Sequence, residues 1–404
     1  MRPLFLSCLL TILLCGFTGC GSKNIPATPS TQIENATIYS AVLGNPGFIQ
    51  SFTATLSLGS LNQFGPSPLT GNMPFSIAIA PSLNALFVDN NGSNTISAFS
   101  VSSSGSLSAV PGGTATGKSP MGMAIDPLGR FLFVANQASS SISVYSINGT
   151  SLREVAGSPF TTIPKGTTTA TLPMAVAVSA TGNFLYVANN FTNSVGAFSV
   201  ASSGALTALG ASPYPVCSPN TNCMAPSGLA ITPGGGFLYL ANTGTANVSA
   251  FAICDKVVTT CAYPNNPDGT LTPVVNPNCS CNVFSAGLGP IAVRVDPYFS
   301  FLYVLNKQSF QISEYSYSPG TGVLTPLSTP AVSTGQTPLS FVIIPGATGS
   351  NAGFTITEPN DFIYVANSGA STLAAFTLNT TTGVLTPLGA ATDINGNPSA
   401  VAAP

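Results

Sequence analysis

The chain has 404 residues, of which only 5% are charged, and its formal net charge is −2. This balance, with no basic run, argues against nucleic-acid binding. The chain contains no histidine and no tryptophan, which excludes His-based catalytic triads and His metal clusters. No glycine motif of the phosphate-cradling kind occurs, so the sequence predicts neither a metal site nor a cofactor.

The N-terminus carries a short apolar run that follows Arg2. Its length is typical of a secretion signal and too short for a spanning helix. The run ends Phe17-Thr-Gly-Cys20, which resembles the lipobox of bacterial lipoproteins. We therefore predict a lipoprotein signal peptide over 1–19, lipidation of Cys20 and a Ser/Thr/Pro-rich tether over 20–36, with the alternative of a plain signal peptide. The predicted location is the bacterial cell envelope, on the periplasmic or surface face of the outer membrane, and the membrane is the predicted partner through the lipid at Cys20.

The rest of the chain, 37–404, repeats one phrase seven times at spacings of roughly 40–60 residues. The phrase reads Phe-Leu-Tyr-Val-Ala-Asn in its clearest copy, and the copies are Thr37–Val42, Ala85–Asn90, Phe131–Asn136, Phe184–Asn189, Phe237–Asn242, Phe301–Asn306 and Phe362–Asn367. A Pro-initiated strand precedes each full copy, and a polar loop with two further strands follows. The pattern predicts an all-β, seven-bladed β-propeller with four antiparallel strands per blade.

Constant offsets within a unit predict a constant strand register. A small residue lies nine positions before the central aromatic residue and another lies eleven positions after it, as in Ala177–Tyr186–Ala197. The sixth unit replaces both small residues by charges, giving Arg294–Tyr303–Glu314. We expect Arg294 and Glu314 to form an ion pair at the blade interface, because an isolated buried charge is costly. The alternative is that one or both face the central channel, which makes them the candidate catalytic residues.

Other acidic residues favour structural roles. Asp126 and Asp296 precede a proline at equivalent positions, where an aspartate caps a turn. Asp89 replaces the alanine of the repeated phrase beside Asn90 and Asn91, and we interpret it as a turn residue, with calcium binding as the weaker alternative.

Six cysteines remain after the signal peptide and Cys20 are set aside, and an even number in an exported chain indicates disulfides rather than a metal site. They are Cys217, Cys223, Cys254, Cys261, Cys279 and Cys281. Six cysteines allow 15 connectivities. Cys217–Cys223 and Cys254–Cys261 are the local pairings that we favour. Four of the six lie in an insertion of the fifth unit over 252–282, and the seventh unit has an insertion over 345–360.

The first unit lacks its Pro-initiated strand, and the tail Pro398–Pro404 supplies a matching segment. The tail is therefore expected to complete blade one, which removes an exposed sheet edge.

The run from Pro120 to Asn136 and its echoes resemble the seven-bladed lactonase-like propellers, including 6-phosphogluconolactonase-type proteins, and the broader YVTN-repeat surface propellers. The resemblance covers about 37–404 and implies the fold. For function it implies lactone hydrolysis, although no catalytic motif of the family transfers to individual residues. We expect a lipid-anchored binding or interaction module of the cell envelope, with an envelope protein or small molecule as partner. A His-free sugar-lactone hydrolase is the alternative, and a quinoprotein is more distant because the tryptophan docking motifs are missing.

Overall fold

The computed structural model describes residues 35–55, 59–217, 223–257, 267–279, 281–345 and 360–404. The predicted signal peptide 1–19, Cys20 and nearly all of the tether lie outside these residues, so the predicted lipid anchor and envelope location stay predictions. The same holds for Cys261 and for most of the blade-seven insertion.

The described residues form seven antiparallel sheets, which confirms the predicted all-β, seven-bladed propeller. The first strand of every blade lies at the end of its sheet, and the seven first strands contact one another in a closed ring. From blade one to blade seven, the first strands are Pro398–Ala402, Pro74–Ala80, Pro120–Ile125, Pro173–Val178, Pro226–Ile231, Pro290–Val295 and Pro338–Ile344.

The remaining strands follow outward from the ring in each blade. The second strands are Asn35–Val42, Ala85–Asn90, Phe131–Asn136, Phe184–Asn189, Phe237–Asn242, Phe301–Asn306 and Asn360–Asn367. The third strands are Phe48–Thr55, Thr95–Val101, Ser141–Asn148, Ser194–Val200, Asn247–Ile253, Gln311–Tyr317 and Thr372–Asn379. The fourth strands are Leu61–Phe64, Leu107–Ala109, Ser151–Glu154, Leu206–Ala208, Leu271–Pro273, Leu324–Ser333 and Leu385–Pro387.

Five blades contain a short extra segment that pairs with the third strand beside the fourth. These segments are Thr114–Ala115, Phe160–Thr161, Tyr214–Pro215, Val283–Ser285 and Thr392–Asp393. The only helical element of the described residues is the single 3₁₀ turn Pro81–Leu83. Accordingly, no helix in this part of the chain has the length and apolarity needed to cross a membrane.

The second strands explain why the repeated phrase is apolar at nearly every position. All six residues of Phe131–Asn136, Phe184–Asn189 and Phe237–Asn242 are buried. Neighbouring blades cover both faces of these strands, so alternation with polar residues is lost, as in sheets that are packed on both sides.

The predicted register is confirmed in the structure. Tyr186 lies directly opposite Ala177 on one side and Ala197 on the other, and Tyr303 lies between Arg294 and Glu314 in the same way. The small residues leave room for the ring between blades, and its hydroxyl crosses to the next blade. Tyr239, for example, donates to the carbonyl oxygen of Gly322 at 2.9 Å.

The C-terminal strand completes blade one, as predicted. Pro398–Ala402 pairs antiparallel with Asn35–Val42, so the two ends of the described chain lie in one sheet. The Ser399 hydroxyl also donates to the carbonyl oxygen of Pro74 in blade two at 2.7 Å. Closure therefore covers the edge of Asn35–Val42 and adds a hydrogen bond between blades one and two.

Two further groups of predicted residues have structural roles. The carboxylate of Asp126 accepts from the amide of Phe131 at 2.8 Å, and that of Asp296 accepts from the amides of Tyr298 and Phe299, which confirms the turn interpretation. Cys279 and Cys281 form a disulfide with a Cα–Cα distance of 5.2 Å. Cys254 is also disulfide-bonded, whereas the pairing of Cys217 with Cys223 stays a prediction.

Candidate active site in the central channel

The seven first strands enclose a cavity of about 670 Å³ on the axis of the propeller. Each first strand is hydrogen-bonded to its second strand on one edge, and its other edge has no strand partner. Backbone N–H and C=O groups of these free edges are therefore available to the channel. A channel of this volume accommodates a small-molecule ligand.

Small residues occupy the third position of the first strands, counted from the proline, and bring neighbouring blades close together. A Cβ atom on Gly228 would lie 2.4 Å from the carbonyl oxygen of Ile291, and one on Gly122 would lie 2.7 Å from that of Met174. The wall therefore tolerates little variation here, and a polar or charged side chain on it requires a specific explanation.

Arg294 is the exception at the fifth position of the first strands. The residues there, from blade one to blade seven, are Ala402, Ala78, Ala124, Ala177, Ala230, Arg294 and Val342. The Arg294 side chain lines the channel. Its Nη1 atom donates to the backbone carbonyl oxygen of the preceding residue, Val293, at 3.1 Å. Its Cζ atom lies 5.8 Å from the ring centroid of Phe341 in blade seven.

The guanidinium is exposed to the channel, but protein surrounds the channel on every side. Poor hydration therefore lowers the pKa of Arg294 from its ordinary value. No carboxylate of the described residues forms an ion pair with it, since the one salt bridge in this part of the chain joins Arg130 to Asp126. Arg294 is thus a positive charge that is open to an anionic ligand.

Lys307 supplies a second positive charge to the same wall and was not anticipated from the sequence. It directly follows the asparagine that ends the second strand. In blades two, four and five the equivalent side chain donates to the proline carbonyl oxygen of the next blade. Asn190, for example, donates to Pro226 at 3.2 Å, and Thr243 donates to Pro290 at 2.7 Å. Lys307 instead lines the channel beside Gln308. The available signal was a lysine at a position that holds an amide or hydroxyl residue in blades two to five and seven and Leu43 in blade one.

The predicted ion pair between Arg294 and Glu314 is wrong. The two residues share a sheet face, but Tyr303 lies between them, and two inter-strand spacings separate their Cα atoms by about 10 Å. Glu314 is fully buried, and its Oε2 atom accepts from the amide of Leu385 in blade seven at 3.1 Å. Burial raises the pKa of Glu314 to about 7. Arg294 therefore belongs to the channel and Glu314 to the blade interface.

The interpretation of Asp89 as a turn residue is also wrong. Asp89 lies within the second strand of blade two and is fully buried. Its Oδ1 atom accepts from the amide of Ser76 at 2.6 Å, and its Oδ2 atom accepts from the hydroxyl of Ser76 at 2.8 Å. Burial raises the pKa of Asp89 to about 6. Ser76 lines the channel, so a carboxyl group lies directly behind a channel hydroxyl.

The wall therefore has a positive side, formed by blade six, and a hydroxyl–carboxyl pair in blade two. None of the residues that line the cavity in the described part of the chain is an aspartate or glutamate. The wall attracts anions, and it contains a hydroxyl group whose proton has an acceptor.

Comparisons with known proteins agree with this architecture. The family model described as "Lactonase, 7-bladed beta-propeller" matches residues 52–156, 155–257 and 254–402. Among solved structures, the periplasmic gluconolactonase PpgL of Pseudomonas aeruginosa superposes with a TM-score of 0.68 at 19% identity, covering 91% of this chain and 99% of that one. A candidate 6-phosphogluconolactonase from Bacteroides fragilis gives a TM-score of 0.68 at 19% identity, with 93% and 99% covered. No curated protein matches the sequence.

Proposed function

We propose, from the premise that this chain belongs to the seven-bladed β-propeller lactonase family, that it hydrolyses an anionic sugar lactone in its central channel. The observation that carries the proposal is the presence of two positive charges, Arg294 and Lys307, on a wall whose described lining residues include no acid. Guanidinium and ammonium groups bind the carboxylate or phosphate group of a sugar acid derivative. The names of the structural neighbours support the lactone class, and the charge supports the anionic member of that class.

The channel offers what ring opening requires of a protein. Arg294 and Lys307 would hold the anionic substituent and orient the ring. The unpartnered edges of the first strands offer N–H groups to the oxyanion that forms when the lactone carbonyl is attacked. Partial exclusion of water strengthens both interactions, because the effective dielectric constant falls.

The test is the hydrolysis rate of a lactone panel above the spontaneous rate in buffer, comparing 6-phosphogluconolactone with uncharged gluconolactone. We expect kcat/KM to be higher for the charged lactone by roughly 10- to 100-fold, the effect of a charged hydrogen bond. Arg294→Met should remove that preference, whereas Arg153→Met, which changes an exposed surface arginine, should leave it intact.

Two results would overturn the proposal. One is turnover that ignores the charge of the substrate and the Arg294→Met substitution. The other is no turnover above buffer across the panel. In the second case, saturable binding of the phosphorylated sugar acid, lost in Arg294→Met, would favour the non-catalytic binding module over the hydrolase.

A further inference from the structure

Ser76 and Asp89 form a pair that no other blade contains. They lie opposite each other in the first and second strands of blade two. The equivalent pairs, from blade one and then blades three to seven, are Ala400–Ala41, Gly122–Ala135, Ala175–Ala188, Gly228–Ala241, Ala292–Leu305 and Ser340–Ala366. Blade seven has a serine without an acid, and only blade two has both.

The geometry fixes the carboxyl group of Asp89 against the hydroxyl of Ser76. Both carboxylate oxygens accept from Ser76, one from its amide at 2.6 Å and the other from its hydroxyl at 2.8 Å. Asp89 is fully buried, while Ser76 is half-buried and faces the cavity. A molecule in the channel can therefore reach the hydroxyl of Ser76 but not the carboxyl group behind it.

Packing does not explain the acid. Alanine fills the Asp89 position in most other blades, and a buried carboxylate without a cationic partner is unfavourable. The groups that face it are the hydroxyl and amide of Ser76 and the amide of Phe75, and burial outweighs them and raises the pKa of Asp89. An acid kept at such a cost beside a cavity is typical of a reactive site.

We propose that Ser76 is the nucleophile of this channel and that Asp89 is its general base. The inference rests on the proposed function for its substrate, an anionic lactone. The Ser76 Oγ atom attacks the lactone carbonyl carbon while its proton passes to Asp89 Oδ2. Collapse of the tetrahedral adduct breaks the ring C–O bond, and the proton on Asp89 passes to the leaving alkoxide. Water then attacks the Ser76 ester, gives a proton to Asp89, and releases the acid as the proton returns to Ser76 Oγ.

The test uses an alkyl fluorophosphonate, in which a serine oxygen displaces fluoride and the phosphonyl group stays on the protein. We expect one adduct, located by peptide mass spectrometry on Ser76, whose formation rate rises as the pH increases through about 6. Asp89→Asn should slow labelling at least 100-fold, in the range of general-base effects. Ser340→Ala removes another serine that lines the channel, at the equivalent position of blade seven but opposite Ala366 rather than an acid, and should leave labelling unchanged.

Ser76→Ala/Asp89→Ala covers the case in which single variants fail to fold, because it reproduces the Ala175–Ala188 pair of blade four. We expect this variant to keep the wild-type circular dichroism spectrum and to lose both labelling and lactone hydrolysis. An unlabelled Ser76 in the wild type, or lactone hydrolysis that survives the double substitution, overturns the dyad. Asp89-dependent labelling in a protein that hydrolyses none of the lactones supports the dyad and overturns the proposed substrate instead.

Discussion

Glu314→Gln should stabilise the protein at alkaline pH and have little effect at acidic pH. Burial raises the pKa of Glu314 from its ordinary value of 4.5 to about 7, and the side chain is fully buried. A rise of that size corresponds to about 3 kcal/mol at a pH above both values. The raised pKa means that the folded state binds more protons, so this contribution to stability is present below pH 4.5 and is lost as the pH rises through about 7.

The glutamine keeps an oxygen for the amide of Leu385 and carries no charge. We therefore expect the free energy of unfolding of the variant to exceed that of the wild type by up to about 3 kcal/mol at pH 8 and by less than about 1 kcal/mol at pH 5. Asp296 and Asp361 lie near the same interface and are present in both proteins, so comparing the two proteins isolates Glu314.

Urea unfolding at pH 5, 6.5 and 8, followed by far-ultraviolet circular dichroism, measures the effect, because the chain has no tryptophan to report by fluorescence. Glu154→Gln, the same substitution at an exposed site, is the matched control, and we expect it to change the free energy of unfolding little, as surface substitutions usually do. Equal stabilisation at pH 5 and pH 8, or a loss of stability at pH 8, would refute the reasoning.

Two further predictions concern the repeated structure. Tyr239→Phe should lower the free energy of unfolding, measured with urea, by about 1 kcal/mol, because it removes one buried hydrogen bond to Gly322. The reverse change Phe133→Tyr, which adds this hydroxyl to blade three, should raise the free energy of unfolding by a similar amount. Changes of the opposite sign would contradict this role of the hydroxyl. Thr337 has φ +50° just before the first-strand proline, where blade six has Gly289 at φ +64°. Thr337→Gly should therefore raise the free energy of unfolding by about 1 kcal/mol, and a thermal melt showing no gain would mean that the backbone is not strained there.

The fold could be predicted from the sequence because the repeat fixes local hairpins, and hairpins fix register. The offsets of nine and eleven residues around the central aromatic residue correspond to the observed partners in each tested row, for example Ala230, Tyr239 and Ala250. The missing first strand and the matching tail together required closure, because a propeller with an open blade would expose an edge.

The contacts made by the ends of long side chains could not be predicted in the same way. Register places Arg294 and Glu314 on one face, but it does not decide whether they meet. Tyr303 separates them. Arg294 lines the channel, and Glu314 accepts a hydrogen bond from the amide of Leu385. Side-chain direction depends on the blade that packs against the row, and that blade lies more than 40 residues further along the chain.

The pair of Ser76 and Asp89, in contrast, was within reach of the sequence. The register that places Phe87 opposite Ala78 also places Asp89, two residues later, opposite Ser76, two residues earlier. The neighbours of Asp89 along the chain, Asn90 and Asn91, suggest a turn, whereas its partner across the sheet, Ser76, indicates the pair. Extending a register to every departure from a repeat gives such partners directly.

A perfectly repeated propeller would present the same small residues to its channel seven times and would have no chemistry there. Close packing requires small side chains at the third position of the first strands, and the fifth position holds alanine in five of the seven blades. Departures at these positions therefore carry an energetic cost, and we expect them to persist only where they serve a function. The main departures toward the channel are Arg294 in blade six and Ser76 with Asp89 in blade two, a positive charge and an acid-backed hydroxyl. A site for an anionic ester needs these two groups, and the regular blades around them hold the two groups at a fixed separation.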